Sequence, residues 1–572
     1  MRRFGLITGI IAGVAAALTA GLIFTPATAE TPPVPNYLSE ISAIRNEGLQ
    51  GSLVMDHLSW LADVYGPRPH GSPGLLAASD WAMKRVTEWG LANVHREYFK
   101  VGEGWRMEKS VIRMTEPQPM QIIGYPMGWT PGTDGLVTAE VVNAVLTTPA
   151  DFDAWRGKLK GKIVLIQTAR AIEPITLPLT HRYDDEQIAM MRDETPNAQQ
   201  WLAGERPDGK TWAKGDALGF DGPTGSDADN RWIDELVAFL KAEGVVAVIE
   251  RGSDQTTRSA VSRFEMMPMK TQRIDGGTMF TPSSRPGMDN EHRLLPWVVI
   301  AVEQYNRMVR ILDKGVPVKI ELDIGVTWYP EPEQGSGFNT LADLPGSDKA
   351  DEIVLIGAHL DSAHAGSGAT DNASGVAVVM EAMRILKRLD LKPRRTIRMA
   401  LWGAEEVGLQ GSRAYVVEHY GDPFGDQPLK PDAAKVSLYF NLDSGAGAVR
   451  GIFARNNLAA IPTLTQWIAP LHDLGVDVVA PRGTLSMSDG TFVTGGSDHL
   501  YFDMAGIPGL ELIQDRLDYF SRTYHSNMDY LDRAPKADVV QQAVVLAVLA
   551  YQAAMADELL PRRAPVPRRA AP

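Results

Sequence analysis

Hydrophobic positions change their spacing twice along the chain. Up to about Leu91 they recur at helical intervals. In "LLAASDWAMKRVTEWGL", Ala77, Trp81, Met83, Val86 and Trp89 supply the apolar positions and Gly90 a stop. This helical region starts near Leu38 and is broken at "YGPRPHGSPG". From about Gln121 the runs shorten. "GLVTAEVVNAV", "GKIVLIQ", "GVVAVIE" and "PWVVIAV" are β-rich and bounded by turn residues, which predicts strands. Residues 171–229 between them are polar and rich in Pro, Gly, Asp and Trp, and read as a long inserted loop. "PVKIELDIGVTWY" closes this section near Tyr329.

After "PEPEQGSG" the pattern alternates. A strand "DEIVLIGAHL" precedes a helix from about Ser374 to Leu389, then come a strand "TIRMALWG", a helix near Ser412 to His419 and a strand "VSLYFNLD". "PGLELI" and a last helix, "KADVVQQAVVLAVLAYQAAMADELL", complete it. Strand–helix alternation predicts an α/β fold, a mostly parallel mixed sheet sandwiched by helices. In "DNASGVAVVMEAMRIL", Val376, Val379, Met380, Met383 and Leu386 share one apolar face, with Glu381, Arg384 and Lys387 away from it.

Length adds that 572 residues exceed one ordinary core, so two or more domains are expected. A formal net charge of −14 argues against a nucleic-acid partner, which needs a basic face. At the N-terminus, "MRR" precedes an apolar run from Phe4 to Phe24 and an A-x-A site at Ala27–Ala29, the order of a secretory signal. The run is also long enough to serve as an uncleaved membrane anchor. Either way residues 1–29 direct export, to the periplasm or beyond the cell. With no cysteine in the chain, disulfides and thiolate metal sites are excluded, so any metal is held by His, Asp and Glu.

Residues of that type stand at the ends of successive strands. His359 and Asp361 follow the first, Glu405 and Glu406 the second, Asp443 the third, and His525 lies beyond a further strand. Parallel strands bring their carboxyl ends to one edge, so these residues can converge. A lone strand-end Asp is usually a helix cap and a lone His is usually surface or core; four strand ends together exceed that explanation. Asp371 opens a helix and reads either as its N-cap or as a carboxylate in the same cleft. "NAS" at Asn372–Ser374 matches a glycosylation sequon and is read as coincidence beside a site.

"AHLDS", "DNASG", "WGAEEVGLQGS", "NLD" and "YHS" resemble the co-catalytic two-zinc exopeptidases, the family of aminopeptidases and carboxypeptidase Q. The resemblance spans roughly Asn339 to Leu559, and "PRPHGSPG" ahead of a helix also fits. It implies residues 35–120 as the N-terminal part of the peptidase, 121–329 as an inserted protease-associated domain, 335–560 as the catalytic domain and 561–572 as a disordered tail. It further implies two zinc ions: His359 and Asp443 on one, Glu406 and His525 on the other, Asp371 bridging. Glu405 would be the general base acting on a metal-bridging hydroxide, and Asp361 would orient His359. The Asp371–Asn372 peptide bond would be cis. Three carboxylates and one hydroxide would balance two zinc ions, and His and carboxylate ligands suit zinc.

Asp498 and His499 in "GGSDHLYF", and Tyr524 before a ligand, are candidates for substrate contact. His364 reads as a solvent-facing loop residue, and Asp529 as a structural partner of its own loop. The expected function is an exported zinc exopeptidase acting on peptides, with an aminopeptidase first and a carboxypeptidase Q-type dipeptidase or carboxypeptidase second. A single-zinc glutaminyl cyclase-like enzyme and a non-catalytic receptor-like module are the rivals of other classes. The inserted section has three roles open to it: lid, docking surface or homodimer interface.

Overall fold

The computed structural model describes residues 37–172, 178–193, 227–251, 255–256, 270–271, 295–423, 427–455, 457–481, 486–488, 491–493 and 496–563. The expected signal or anchor at 1–29 and most of the basic tail lie outside these residues. Arg562, the second residue of the expected disordered tail, is held instead: its guanidinium donates to the carbonyls of Ala433 and Val436, both at 2.7 Å.

The first sheet has eight strands. Their order is Ala92–Phe99, Gly337–Leu344, Arg395–Trp402, Lys349–His359, Val436–Asn441, Gly509–Gln514, Val449–Phe453 and Val478–Ala480. The strands from Arg395–Trp402 through Gly509–Gln514 pair in parallel. Antiparallel pairs flank them, giving the expected mixed sheet. Every residue of Gly337–Leu344, Val436–Asn441 and Gly509–Gln514 is buried, as in strands covered on both faces. The helices Ser374–Arg388 and Lys536–Met555 supply one covering layer. Lys536–Met555 is long and apolar enough to cross a membrane, but it is packed inside the core.

Ser374–Arg388 departs from the one-faced amphipathic reading. Its residues from Ser374 to Ile385 and Leu386 are all buried, including Glu381 and Arg384. The N-terminal helices Leu38–Gly51 and Val54–Ser59 cover its second face, and the two charges pair with each other at 2.8 Å. Helix Pro73–Glu88 starts where the sequence suggests: Ser72 caps the N–H of Leu75 and Pro73 occupies the first turn.

The second sheet also has eight strands, in the order Met120–Gln121, Gly104–Glu116, Lys319–Tyr329, Val137–Asn143, Ile163–Leu165, Ala247–Arg251, Trp297–Ile300 and Gly124–Pro126. It begins at Gly104, ahead of the expected boundary at Gln121. Strand Gly104–Glu116 pairs with Lys319–Tyr329 along its whole length, a partner some two hundred residues away that no local pattern announces. The loop reading of 171–229 is corrected in part. Asp185–Asp193 is a helix, and the segment before it packs against residues that follow the first sheet's strand Gly509–Gln514. Arg182 reaches Asp515 at 3.0 Å and Asp538 at 2.7 Å, while His181 and Leu517 exchange backbone hydrogen bonds.

Candidate active site

The carboxyl ends of the parallel strands meet as expected. His359 ends its strand and is 1% exposed, and its Nε2 lies 3.2 Å from Asp371 Oδ1 and 3.2 Å from Asp443 Oδ1. His525 Nε2 lies 2.9 Å from Glu406 Oε2 and 3.5 Å from Asp371 Oδ2. Two triads result, His359/Asp371/Asp443 and Asp371/Glu406/His525, each with its ligand atoms within 4.8 Å of one another. Asp371 belongs to both. Its Oδ2 is buried without a hydrogen-bond donor, a state that a cation would relieve. The donor set, two imidazoles and three carboxylates with no sulfur, fits zinc.

Asp371 does not cap the following helix. The helix begins at Ser374 and its first-turn N–H of Gly375 goes to the Asn372 side chain, which leaves the Asp371 carboxylate for the cleft. The Asp371–Asn372 bond is cis. Asn372 itself is buried, donating to Leu442 O at 2.7 Å and accepting from Gly375 N, so the sequon has no exposed amide.

Electrostatics separate the two adjacent glutamates. Burial pushes both up. At Glu406 the charges of His525 and His359 outweigh it and hold the carboxyl down to about 2. At Glu405 burial prevails over His359, with Asp443, Asp498 and Glu406 adding, and the carboxyl rises well above its usual range. Neighbouring groups driven apart in this way suit one to ligation and the other to proton transfer. Burial disfavours a charged His359, but Asp443, Glu405, Asp361 and Asp371 override it and raise the ring well above its ordinary value.

Residues 339–550 match peptidase family M28. Residues 339–550 form a domain of that family. Carboxypeptidase Q of Mus musculus is 26% identical over 537 residues, which is 92% of each chain. Leupeptin-inactivating enzyme 1 of Streptomyces exfoliatus is 34% identical over 214 residues, 34% of this chain and 44% of its own. The crystal structure of a peptidase M28 precursor from Shewanella amazonensis SB2B has the same fold, with a TM-score of 0.59 at 24% identity, covering 92% of this chain and 98% of that one. With that domain the chain is a zinc metallo-exopeptidase.

Other expected residues fall less evenly around the M28 centre. Asp361 is fully buried, and its backbone carbonyl, not its carboxylate, makes the close contact with His359 Nδ1: 3.0 Å against 3.7 Å. Tyr524 stacks on His525 with ring centroids 3.7 Å apart, fixing the plane of that imidazole. Asp498 is fully buried behind His359 and Asp443, and burial lifts its carboxyl to about 8, against the pull of His359 and Ser412.

His499 does not reach the cleft as a substrate contact. It is fully buried at the start of a helix, 3.4 Å from Asn441 Nδ2 and 3.6 Å from Glu511. Helix His499–Met504 turns that ring into the core, an orientation the motif alone does not carry. His364 is buried as well, not solvent-facing: its Nε2 sits on the Pro126 carbonyl and its ring packs edge-on against Trp105 at 4.9 Å. Burial lowers this imidazole to about 4, so the ring is neutral, and the carbonyl, which can only accept, places its one proton on Nε2. His364 thereby fastens the metal-site loop to the second sheet. Asp529 is structural, but its carboxylate serves the loop of Asp371 and not its own, accepting from Thr370 N at 2.7 Å and Asp371 N at 3.1 Å. Two residues of the centre were not expected from the sequence, Tyr519, buried in the field of Asp371 and Asp443, and Arg68.

Proposed function

We propose that the chain is an exported two-zinc exopeptidase that removes residues from the N-terminus of peptides. The observation that carries this reading is the sharing of Asp371 by two His–carboxylate triads with Glu405 beside them. His359, Asp371 and Asp443 would hold one ion, and Asp371, Glu406 and His525 the other. Zinc in such a site lowers the pKa of water to about 7 and polarises the scissile carbonyl. Glu405, kept basic enough by burial, accepts the proton of the attacking water and delivers it to the leaving amine. Tyr524, whose phenol burial keeps protonated, can donate to the carbonyl oxygen as charge develops there.

The preference for an N-terminus rests on charge. Glu405 and Asp498 add two carboxyl groups that burial holds toward the neutral form, while the nearby Arg68 guanidinium is engaged by backbone carbonyls. A protonated amine would favour their ionised forms and be held by them, whereas a terminal carboxylate would push them further toward the neutral form. The second reading, a dipeptidase or carboxypeptidase of the carboxypeptidase Q type, draws on the match over 92% of both chains, second sheet included. Ligand residues present in both triads count against a single-zinc cyclase. The second sheet, reading as the inserted protease-associated domain, would form one wall of the cleft through His364 and Pro126.

Mass spectrometry of a mixed peptide library treated with native protein and Glu405→Gln separates these readings. Loss of single N-terminal residues with native protein alone supports the aminopeptidase. Trimming from the other end, or cleavage of dipeptides only, moves the assignment to the second reading.

A further inference from the structure

Arg68 stands in "YGPRPHGSPG", some three hundred residues before the loop it organises, and its side chain is fully buried. Four of its guanidinium N–H groups are taken by carbonyls. Nε donates to Leu360 O at 2.7 Å, Nη1 to Leu61 O at 2.8 Å and Ser367 O at 3.0 Å, and Nη2 to Gly368 O at 3.0 Å. Its backbone is tied to the same loop: Arg68 N donates to Ser362 Oγ at 3.0 Å and Ser362 N donates to Arg68 O at 3.1 Å. Gly368 adopts φ +64°, and a Cβ there would fall 2.4 Å from the Ser362 Cβ. The loop therefore closes around the guanidinium with no room to spare.

The segment wrapped this way runs between two metal ligands, His359 and Asp371. Its polar groups are sorted by partner. The carbonyls of Leu360, Ser367 and Gly368 turn toward Arg68, while the amides of Ser367, Thr370 and Asp371 turn toward Asp529. A buried guanidinium facing neutral carbonyls keeps a net charge, which the fields of Asp529, Asp361, Asp371 and Glu406 offset. A planar fork can address four carbonyls spread around it; the single ammonium of lysine cannot.

We propose that Arg68 is a positioning residue of the metal centre, its fork setting the course of residues 360–368 so that His359 and Asp371 meet on one ion. The proposal rests on the two-zinc reading above. Supporting groups of this kind change metal affinity or activity by about 10–100-fold when removed.

The test titrates zinc into chelator-stripped native protein, Arg68→Lys, Arg68→Met and Ser362→Ala in competition with a chromophoric chelator. It follows kcat, KM and melting temperature on the same samples. Arg68→Lys and Arg68→Met should each lose zinc affinity about 10–100-fold, with kcat falling and KM held within about twofold. Ser362→Ala removes the acceptor of the Arg68 N–H together with the hydroxyl's own bond to Ala363 O at 2.9 Å, and a smaller loss in the same direction is expected. Native zinc affinity in Arg68→Lys would overturn the proposal, because charge without the fork would then suffice. Variants that melt earlier yet keep zinc affinity and kcat would overturn it too, leaving Arg68 a packing role. If the Arg68 variants do not fold, Ser362→Ala decides, and unchanged affinity there counts against the clamp. Native protein that takes up no zinc would instead sink the two-zinc reading.

Discussion

The carboxylate of Asp361 accepts the backbone N–H of Glu405 at Oδ1 and that of Glu406 at Oδ2, both at 3.1 Å. One buried side chain thus sets the position of both the proposed base and a proposed ligand, while its own carbonyl holds His359. Asp361→Asn keeps the shape but presents an NH2 group to one of those two N–H donors. It should lower kcat about 10–100-fold with little change in KM, measured by steady-state kinetics on a chromogenic amino-acid amide. A fall in affinity for substrate with kcat intact would contradict this role.

Stripping the metal should destabilise the fold. With no cysteine in the chain, no disulfide supports a centre of clustered buried carboxylates. A ligand at 100 times its Kd stabilises by about 2.7 kcal/mol. Chelation should lower the melting temperature and added zinc should restore it. An unchanged melting temperature would exclude a bound ion that matters to the fold.

His70 sets a pH dependence that does not need the metal. It is 1% exposed, contacts Ser336 Oγ at 3.0 Å, and burial holds it down to about 4. Above about 6.5 the ring is neutral whether folded or unfolded, and its protonation contributes nothing. Between 6.5 and 4 the unfolded chain takes the proton and the folded one does not, so stability falls as pH falls. The full cost is roughly 3 kcal/mol. Urea unfolding of chelated native protein and His70→Gln at pH 7.5 and 4.5 isolates this contribution. The variant should lose less stability than the native protein on acidification; equal losses would contradict the burial argument.

His364→Leu tests the fastening of the two sheets. It keeps most of the packing against Trp105 but leaves the Pro126 carbonyl without its donor. An unsatisfied buried carbonyl costs about 1–3 kcal/mol. Denaturant midpoints should fall accordingly, with zinc content unchanged.

Much of the centre is legible because its proposed ligands sit at strand ends. His359, Asp443 and the Glu405–Glu406 pair follow apolar runs directly, and parallel pairing then brings them together with no further information. Helix Ser374–Arg388 was placed by its apolar spacing, though its charged face was misjudged because the covering helices come from residues 38–59. Residues whose role depends on distant partners were not legible. Arg68 looks like part of a turn until Leu360 and Gly368 are seen around it. His499 sits in a motif that suggests a pocket, yet its place on its helix points it at Glu511. Strand Gly104–Glu116 carries no local sign of the second sheet, and only its pairing with Lys319–Tyr329 reveals it.

The zinc content of purified protein tests the shared-ligand centre most directly, measured by mass spectrometry after zinc loading and desalting. Native protein should retain two ions per chain, His525→Ala one, and Asp371→Ala neither at full occupancy, because that carboxylate serves both triads. One ion in the native protein, or two retained in Asp371→Ala, would contradict a centre built on Asp371.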